Sequence, residues 1–298
     1  MMPEYICIDI GGTTIKYGVT DGGGRFLAKG TAPNPIRTGG VGAMVSLAVS
    51  RIRAYQKEYS PVGLAVATAG IVDSSSGTIL YAAEHWPGYT GTRLQAILED
   101  ACGIPCRIEN DVNCAGMGEY WLGAGRGAGS LVCLTVGTGI GGSVIFKGQL
   151  VTGASHCAGE VGYLRIGEPG TLESLASAAH MIAEIAEAKG MSADEVNGEL
   201  AFAWARAGDR PALAAAERMV QRLAAGIANI CYVLNPEVVV LGGGIMAQEG
   251  FLKPRLLDAL RAALLPRVYA GTRFVFAQLG NDAGMIGALY CLLHDGTQ

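Results

Sequence analysis

Two stretches of this chain, about half its length apart, carry the same pattern. The first is YICIDIGGTTIKYGVTDGGGRFLAKG, residues 5–30; the second is SLVCLTVGTGIGGSVIFKGQLVTGA, residues 130–154. Each opens on an apolar run of buried-strand character, residues 5–10 in the first copy. A turn rich in Gly and Thr follows, then a second strand, a tight turn and a third strand. The hairpin signals are DGGG in the first copy and Lys147-Gly148 in the second. Helical patterns come after each, at residues 41–59, at residues 174–190 and through the Ala-rich stretch ending at Leu234. Further strands are predicted within residues 62–70, 105–110, 236–244 and 272–279. A long-period repeat of this kind restricts the chain to two related α/β halves.

Composition agrees with a folded chain of that size. It has 298 residues, half of them hydrophobic and 16% charged, which supports a large core and argues against disorder. The formal charge is −4 and the basic residues are scattered. There is no basic stripe for nucleic acid and no apolar run of membrane-spanning length. The first residues, MMPEYICIDIGG, lack a basic region and a cleavage site, so a cytoplasmic location is expected. The eight cysteines are expected as reduced thiols, with Cys7, Cys133 and Cys231 in the core. Cys102, Cys106 and Cys114 are not spaced as a metal cluster would require.

Glycine-rich turns follow apolar strands three times, at residues 9–14, 137–142 and 242–245. Glycine lets backbone N–H groups approach an anion without a Cβ in the way. Thr13, Thr14 and Thr138 add hydroxyl donors. One such turn reads as a plain turn; three, two of them in equivalent places of a repeat, point to a nucleotide phosphate. Gly137, Gly139 and Gly142 match G-x-G-x-x-G, but a dinucleotide fingerprint must open a helix and here a strand pair follows. No P-loop motif is present. Asp9, at a strand end beside a phosphate turn, suits Mg²⁺ directly or through waters; the plainer reading is a turn-capping aspartate.

With these residues in place the chain resembles the ROK family of sugar kinases and repressors, within the actin/hexokinase ATPase superfamily. The segments that carry the resemblance are DIGGTTIKYGV, ENDVNCAGMGEYWLGAG, LTVGTGIGGSVIFKGQLVTGASHCAGEVGYL and NPEVVVLGGGI, in family order over nearly the whole chain. The resemblance implies an α/β, two-lobed actin-like (ribonuclease H-like) ATPase fold with duplicated βββαβα halves and a cleft between the lobes. One lobe would span residues 1–113 plus a returning helix at about 283–298, the other residues 114–282. It implies ATP with Mg²⁺, a sugar, and a homodimer. Phosphate contacts would come from Asp9, Gly11, Gly12, Thr13, Thr14, Lys16, Gly137, Thr138, Gly139, Gly141, Gly243 and Gly244.

Asp111 matches the family's catalytic base, and Asn110 would hold a neighbouring sugar hydroxyl. Such a pair before a helix otherwise reads as an N-cap, which Asp111 would share in. Glu160 and Glu173 match sugar-binding glutamates, though each alone reads as a solvated charge. Gly70 fits the backbone lining the sugar.

Two departures stand out. Many relatives have a His after GEVG and a loop with three cysteines that complete a zinc site. Here Tyr163 takes the His position and the loop LRIGEPGTLES has no Cys, so no zinc is expected; His156 and Cys157 upstream do not complete a site. The second departure is EHWPGYTGT, residues 84–92. His85 stands where glucokinase relatives have Asn, and Tyr89 where they have Trp. His85 reads as either a sugar contact or a surface-loop residue. This string looks more like β-glucoside kinases and N-acetylmannosamine kinases. Tyr163 or Tyr89 would then stack on a substituent at C1 or C2, against a plain glucokinase in which Tyr163 only fills space.

The leading reading is therefore an ATP-dependent sugar 6-kinase. The rivals are a sugar-responsive repressor and a non-catalytic sugar sensor. With the first strand expected from Tyr5, the repressors' N-terminal helix-turn-helix has no counterpart here. The intact glycine turns and Asp111 argue against the sensor.

Overall fold

The computed structural model describes residues 2–294. The chain forms two compact units: one runs to Gly123 and takes in Thr152–Ala158 and the residues from Asn281 on, and the other comprises Ala124–Val151 and Gly159–Gly280.

The first unit is built on a five-stranded sheet. Strands β1 (Glu4–Ile10), β2 (Thr14–Asp21) and β3 (Phe26–Pro33) form an antiparallel meander; β4 (Pro61–Thr68) and β7 (Cys106–Asn110) add in parallel, giving the order β3-β2-β1-β4-β7. Asp21 shapes the β2–β3 turn, its Oδ1 accepting from Gly23 N and Arg25 N at 3.0 Å each. Helix α1 (Ile36–Gln56) kinks at Gly40, whose φ of 67° is non-helical, and the regular run after the kink, ending at Gln56, covers most of the helix predicted at 41–59. A small hairpin of β5 (Ile71–Asp73) and β6 (Thr78–Tyr81), helix α2 (Leu94–Cys102) and helix α3 (Asp111–Trp121) complete the run. Isoleucines 6, 8, 10 and 15 pack with Leu64, Val66 and Ile108 into one core of this unit.

The second unit repeats the plan. Strands β8 (Ser130–Val136), β9 (Ile140–Phe146), β10 (Gln149–Leu150), β11 (Val238–Gly242) and β12 (Arg273–Phe276) are ordered β10-β9-β8-β11-β12. The β9–β10 turn has Lys147 at φ 51° and Gly148 at φ 79°, the paired left-handed residues that match the twist of a two-residue hairpin. Between β10 and β11 lie α4 (Leu172–Ala176), α5 (Ala178–Lys189), α6 (Gly198–Arg206) and α7 (Arg210–Leu234). Each starts at a side-chain cap: Thr171, Ser177, Asn197 and Asp209. Helices α8 (Glu249–Ala263) and α9 (Pro266–Gly271) follow β11.

Both halves thus carry the expected duplication, and each extends it by a fifth strand and a further helix. The last helix, α10 (Ala283–Leu293), belongs to the first unit and lies on α3 and β4. The returning helix expected at about 283–298 therefore covers its first eleven positions; residues 295–298 lie outside the described ones. Residue 113, the expected lobe boundary, falls inside α3, because α3 packs on α10 within the first unit. All eight cysteines are free thiols, with Cys7, Cys133 and Cys231 buried. No helix among the described residues is long and apolar enough to cross a membrane.

Candidate active site

In the first unit, three parallel strands end at one edge, in register: Ile10 of β1 pairs with Thr68 of β4, which pairs with Asn110 of β7. Carboxyl ends of parallel strands are where open α/β sheets place ligands, because the following turns and helix N-termini gather there. Asp9 with the turn of residues 11–14, Gly70, and Asn110 with Asp111 all lie at this edge.

Asp9 is 8% exposed and its Oδ2 accepts from Lys16 Nζ at 2.8 Å. The two residues face each other across the β1–β2 ladder. The turn between them is closed by Gly11 N donating to Thr14 O at 3.0 Å and Asn34 Nδ2 donating to Gly11 O at 2.8 Å. Thr13 is exposed at its tip and Gly12 lies against the ring of Trp86. A hard cation fits this donor set in one way. A single carboxylate beside a glycine turn would suit a Mg²⁺ held mostly by water and by oxygens of a bound phosphate. Lys16, expected as a phosphate contact, is the counter-charge of Asp9.

Asn110 is the N-cap of α3. Its Oδ1 accepts from Val112 N at 2.9 Å and Asn113 N at 3.0 Å, while its Nδ2 donates to Gly70 O at 2.9 Å. The capping role thus falls on Asn110, and Asp111 is the first helical residue, its Oδ1 accepting from Val112 N at 2.9 Å. A negative charge at the start of a helix is favoured by the helix dipole. Gly70 has φ 102°, and a Cβ there would meet Tyr81 O at 2.6 Å, so this carbonyl needs glycine to be presented to Asn110.

One residue of this edge was not anticipated. Glu109 is 4% exposed and accepts from Asn110 N at 2.7 Å, Asn113 Nδ2 at 3.0 Å and Ser74 Oγ. Its carboxylate ties the first turn of α3 to the segment after β5. Only its place before Asn-Asp hinted at this; a strand-end glutamate is otherwise read as exposed.

Tyr89 is fully buried, stacked on Trp86 with ring centroids 5.0 Å apart, and its hydroxyl meets Thr68 Oγ1 at 2.6 Å. Burial, with a smaller contribution from the negative Asp111, pushes the phenol above its usual range, so it stays neutral. A ring packed in this way has no face for a sugar substituent. The expectation that Tyr89 stacks on one is corrected: it is a core residue. His85 is exposed in the same loop, its ring 6.4 Å from that of Trp86.

In the second unit, the turn of residues 137–139 repeats the first one. Gly137 N donates to Gly139 O at 2.9 Å and Ala178 N donates to Gly137 O at 2.9 Å. Thr138 is exposed at the tip, and Gly141 follows in β9. Gly243 and Gly244 lie at the neighbouring strand end, since Gly242 pairs with Thr135. Gly243 has φ 93°, and a Cβ there would meet Val136 N at 2.5 Å; this turn needs glycine to lie on β8.

Glu173 sits beside the first of these turns, its Oε2 accepting from Ile140 N at 2.9 Å and lying against Gly139 and Gly162. The carboxyl of Glu160 titrates above its ordinary value, because partial burial disfavours its charge and Glu173 repels it. Tyr163 ends a short 3₁₀ turn after Glu160 and is 69% exposed. Among the described residues, no three His, Cys, Asp or Glu side chains gather into a group able to hold a metal ion.

Duplicated βββαβα-based halves with glycine turns at equivalent strand ends define an actin-like ATPase fold, and the chain belongs to the ROK family, which matches residues 5–295. It is 32% identical to a glucokinase from Halalkalibacterium halodurans, over 95% of this chain and 93% of that one. It is 31% identical to a β-glucoside kinase from Klebsiella pneumoniae, over 96% and 95%. Among solved structures, a ROK family glucokinase from Streptomyces griseus in complex with glucose and AMPPNP matches with a TM-score of 0.79 and 28% identity, over 96% of this chain and 98% of that one.

Proposed function

We propose that this ROK-family sugar kinase transfers the γ-phosphoryl group of ATP to the 6-hydroxyl of a hexose bearing a substituent at C1 or C2. The observation that carries the reading is Asp111 at the first turn of α3, at the strand edge that also holds Asp9 and its glycine turn. Phosphoryl transfer needs positioned groups and charge stabilisation more than covalent chemistry.

Asp111 is the general base. It accepts the proton of the sugar hydroxyl as that oxygen bonds to phosphorus and the bond to the ADP leaving oxygen breaks. Asn110 is held on both sides, by the helix N–H groups and by Gly70 O, so it is a rigid contact for a neighbouring hydroxyl. Glu160 and Glu173, both in the second unit, are taken as sugar contacts from the family match of their motifs. The turns of residues 137–139 and 243–244, both in the second unit, supply N–H and hydroxyl donors to ATP. Mg²⁺, near Asp9, would neutralise charge on the phosphate oxygens. No zinc is used, because Tyr163 and a Cys-free loop stand where relatives hold the metal.

The substituent preference rests on that same exchange, which leaves the exposed ring of Tyr163 to cover an apolar group. The likeness to a β-glucoside kinase supports it, and the likeness to a glucokinase supports plain glucose as the alternative. Side-by-side kinetics with glucose, N-acetylglucosamine, N-acetylmannosamine and cellobiose decide between them. The expected result is a higher kcat/KM for a substituted sugar. A clear preference for glucose overturns the preference, and a product phosphorylated elsewhere than at position 6 overturns the regiochemistry.

A further inference from the structure

The segment of residues 164–171 joins the Glu160 turn to α4, which carries Glu173. Leu164 and Ile166 pack on the core of the second unit, residues 167–169 are exposed, Gly167 has φ 93° and Gly170 φ 130°, and the segment is closed at its base by Leu172 N donating to Leu164 O at 2.7 Å. Arg165 Nη1 donates to Gly170 O at 3.1 Å within the segment. Its exposed tip is held by Arg222, from the long helix α7.

The Arg222 guanidinium, 14% exposed, forks onto Glu168 of the loop: Nε donates to Oε1 at 3.2 Å and Nη2 to Oε2 at 2.8 Å. Its third nitrogen, Nη1, donates to Leu175 O at 3.0 Å, near the carboxyl end of α4 where a cation is favoured. The same Nη1 lies 3.3 Å from His180 Nε2 and 3.5 Å from Glu184 Oε1, so α5 holds the guanidinium from the other side. Planar, five-donor geometry allows one side chain to do all this; a lysine has no such fork. Four residues further along α7, Gly226 packs directly on Leu172, the first residue of α4. Helix α7 thus grips both the loop and α4, and Glu173 lies between the gripped points.

We propose that Arg222 and Glu168 are positioning residues for the sugar: together they clamp the 164–171 segment and α4, and so hold Glu160 and Glu173 at their proposed places. This inference rests on the reading of Glu160 as a sugar contact. The carboxylate half of the pair is exposed, and Leu164 and Ile166 keep their core contacts without it, so its removal should leave a folded chain. The turn of residues 137–139 keeps Gly137 N on Gly139 O and the β8–β9 ladder, neither of which passes through the clamped residues, so the nucleotide contact should change less than the sugar contact.

The experiment is a kinetic cycle on full-length protein with Arg222→Met, Glu168→Ala and both together, alongside Glu160→Gln, with Glu168→Gln as a milder variant should a larger change prevent folding. The probes are ATP and the best sugar of the panel. Each clamp variant should raise the sugar KM about tenfold and the ATP KM less than about twofold. The double variant should match the singles, as expected for two residues acting as one unit. Unchanged sugar KM in folded variants, equal rises for sugar and ATP, or additive effects would each overturn the clamp. If Glu160→Gln raises the sugar KM while the clamp variants do not, the clamp alone is wrong. If Glu160→Gln has no effect on sugar binding, the underlying reading of the site fails.

Discussion

Asp111 and Asn110 divide two tasks that the sequence leaves merged. The amide side chain caps α3 and bonds to Gly70 O, while the neighbouring carboxylate, which accepts from Val112 N, is the one proposed to take the proton. Asp111→Asn keeps the size and loses the basicity. We expect kcat to fall by about 10²–10⁴ with the sugar KM changed only a few fold, measured by coupled assay; a near-normal kcat would remove Asp111 from its role. Glu160 offers a pH test. Its carboxyl is raised by partial desolvation and by Glu173, so sugar binding should fail on acidification earlier than an ordinary carboxylate would allow. Glu173→Gln removes the repulsion, and the acidic limb of kcat/KM should move to lower pH; a shift upward or none would contradict the pairing. The sign for stability runs the other way from a salt-bridged acid. The folded chain binds this proton more tightly than the unfolded chain, so Glu160 costs stability as pH rises from the ordinary carboxylate value through the raised one.

Among the elements, α3 and α10 depend most on close approach. A Cβ at Gly118 would meet Ala283 O at 2.5 Å and Gly287 N at 3.2 Å, and one at Gly287 would collide with the carbonyl of Cys114. Neither obstacle is a flexible side-chain end, so the helices would have to move apart. Gly287→Ala should destabilise the fold by about 3 kcal/mol, at the upper end of overpacking costs, read from urea denaturation. A change below about 0.5 kcal/mol, the size of an ordinary surface substitution, would show that the crossing is looser. Because α3 begins at Asp111, the same variant should lower kcat even where it remains folded.

At the scale of the whole molecule, the chain builds its first unit from three separate segments, leaving at Gly123 and returning at Thr152 and Asn281. The apolar character of α10 accounts for the last return: AGMIGALYCLL has buried residues at all of its first seven positions and finds cover on α3, β4, β1 and β7. Metal use is also a property of the whole enzyme. Chelation should abolish activity, and Mg²⁺ alone should restore it; elemental analysis of protein purified without added metal should find zinc well below one per chain. Stoichiometric zinc would overturn the zinc-free reading.

The sequence alone determined what is local. The two meanders, the glycine turns and the strands at 62–70, 105–110, 236–244 and 272–279 were legible because alternation, apolar runs and turn chemistry act over a few neighbours. The pair Asn110-Asp111 was legible for the same reason, as a polar break between a strand and a helix. What depended on packing was not legible. Glu109 is a buried strut because Ser74 and Asn113 arrive beside it. Tyr89 is a core residue because Trp86 covers its face and Thr68 takes its hydroxyl. Arg222 is a clamp because α7 lies where it reaches Glu168 and Leu175, 54 and 47 positions away. In each case the residue's type allowed several roles, and only the tertiary structure, by choosing which distant groups share its desolvated surroundings, decided between them.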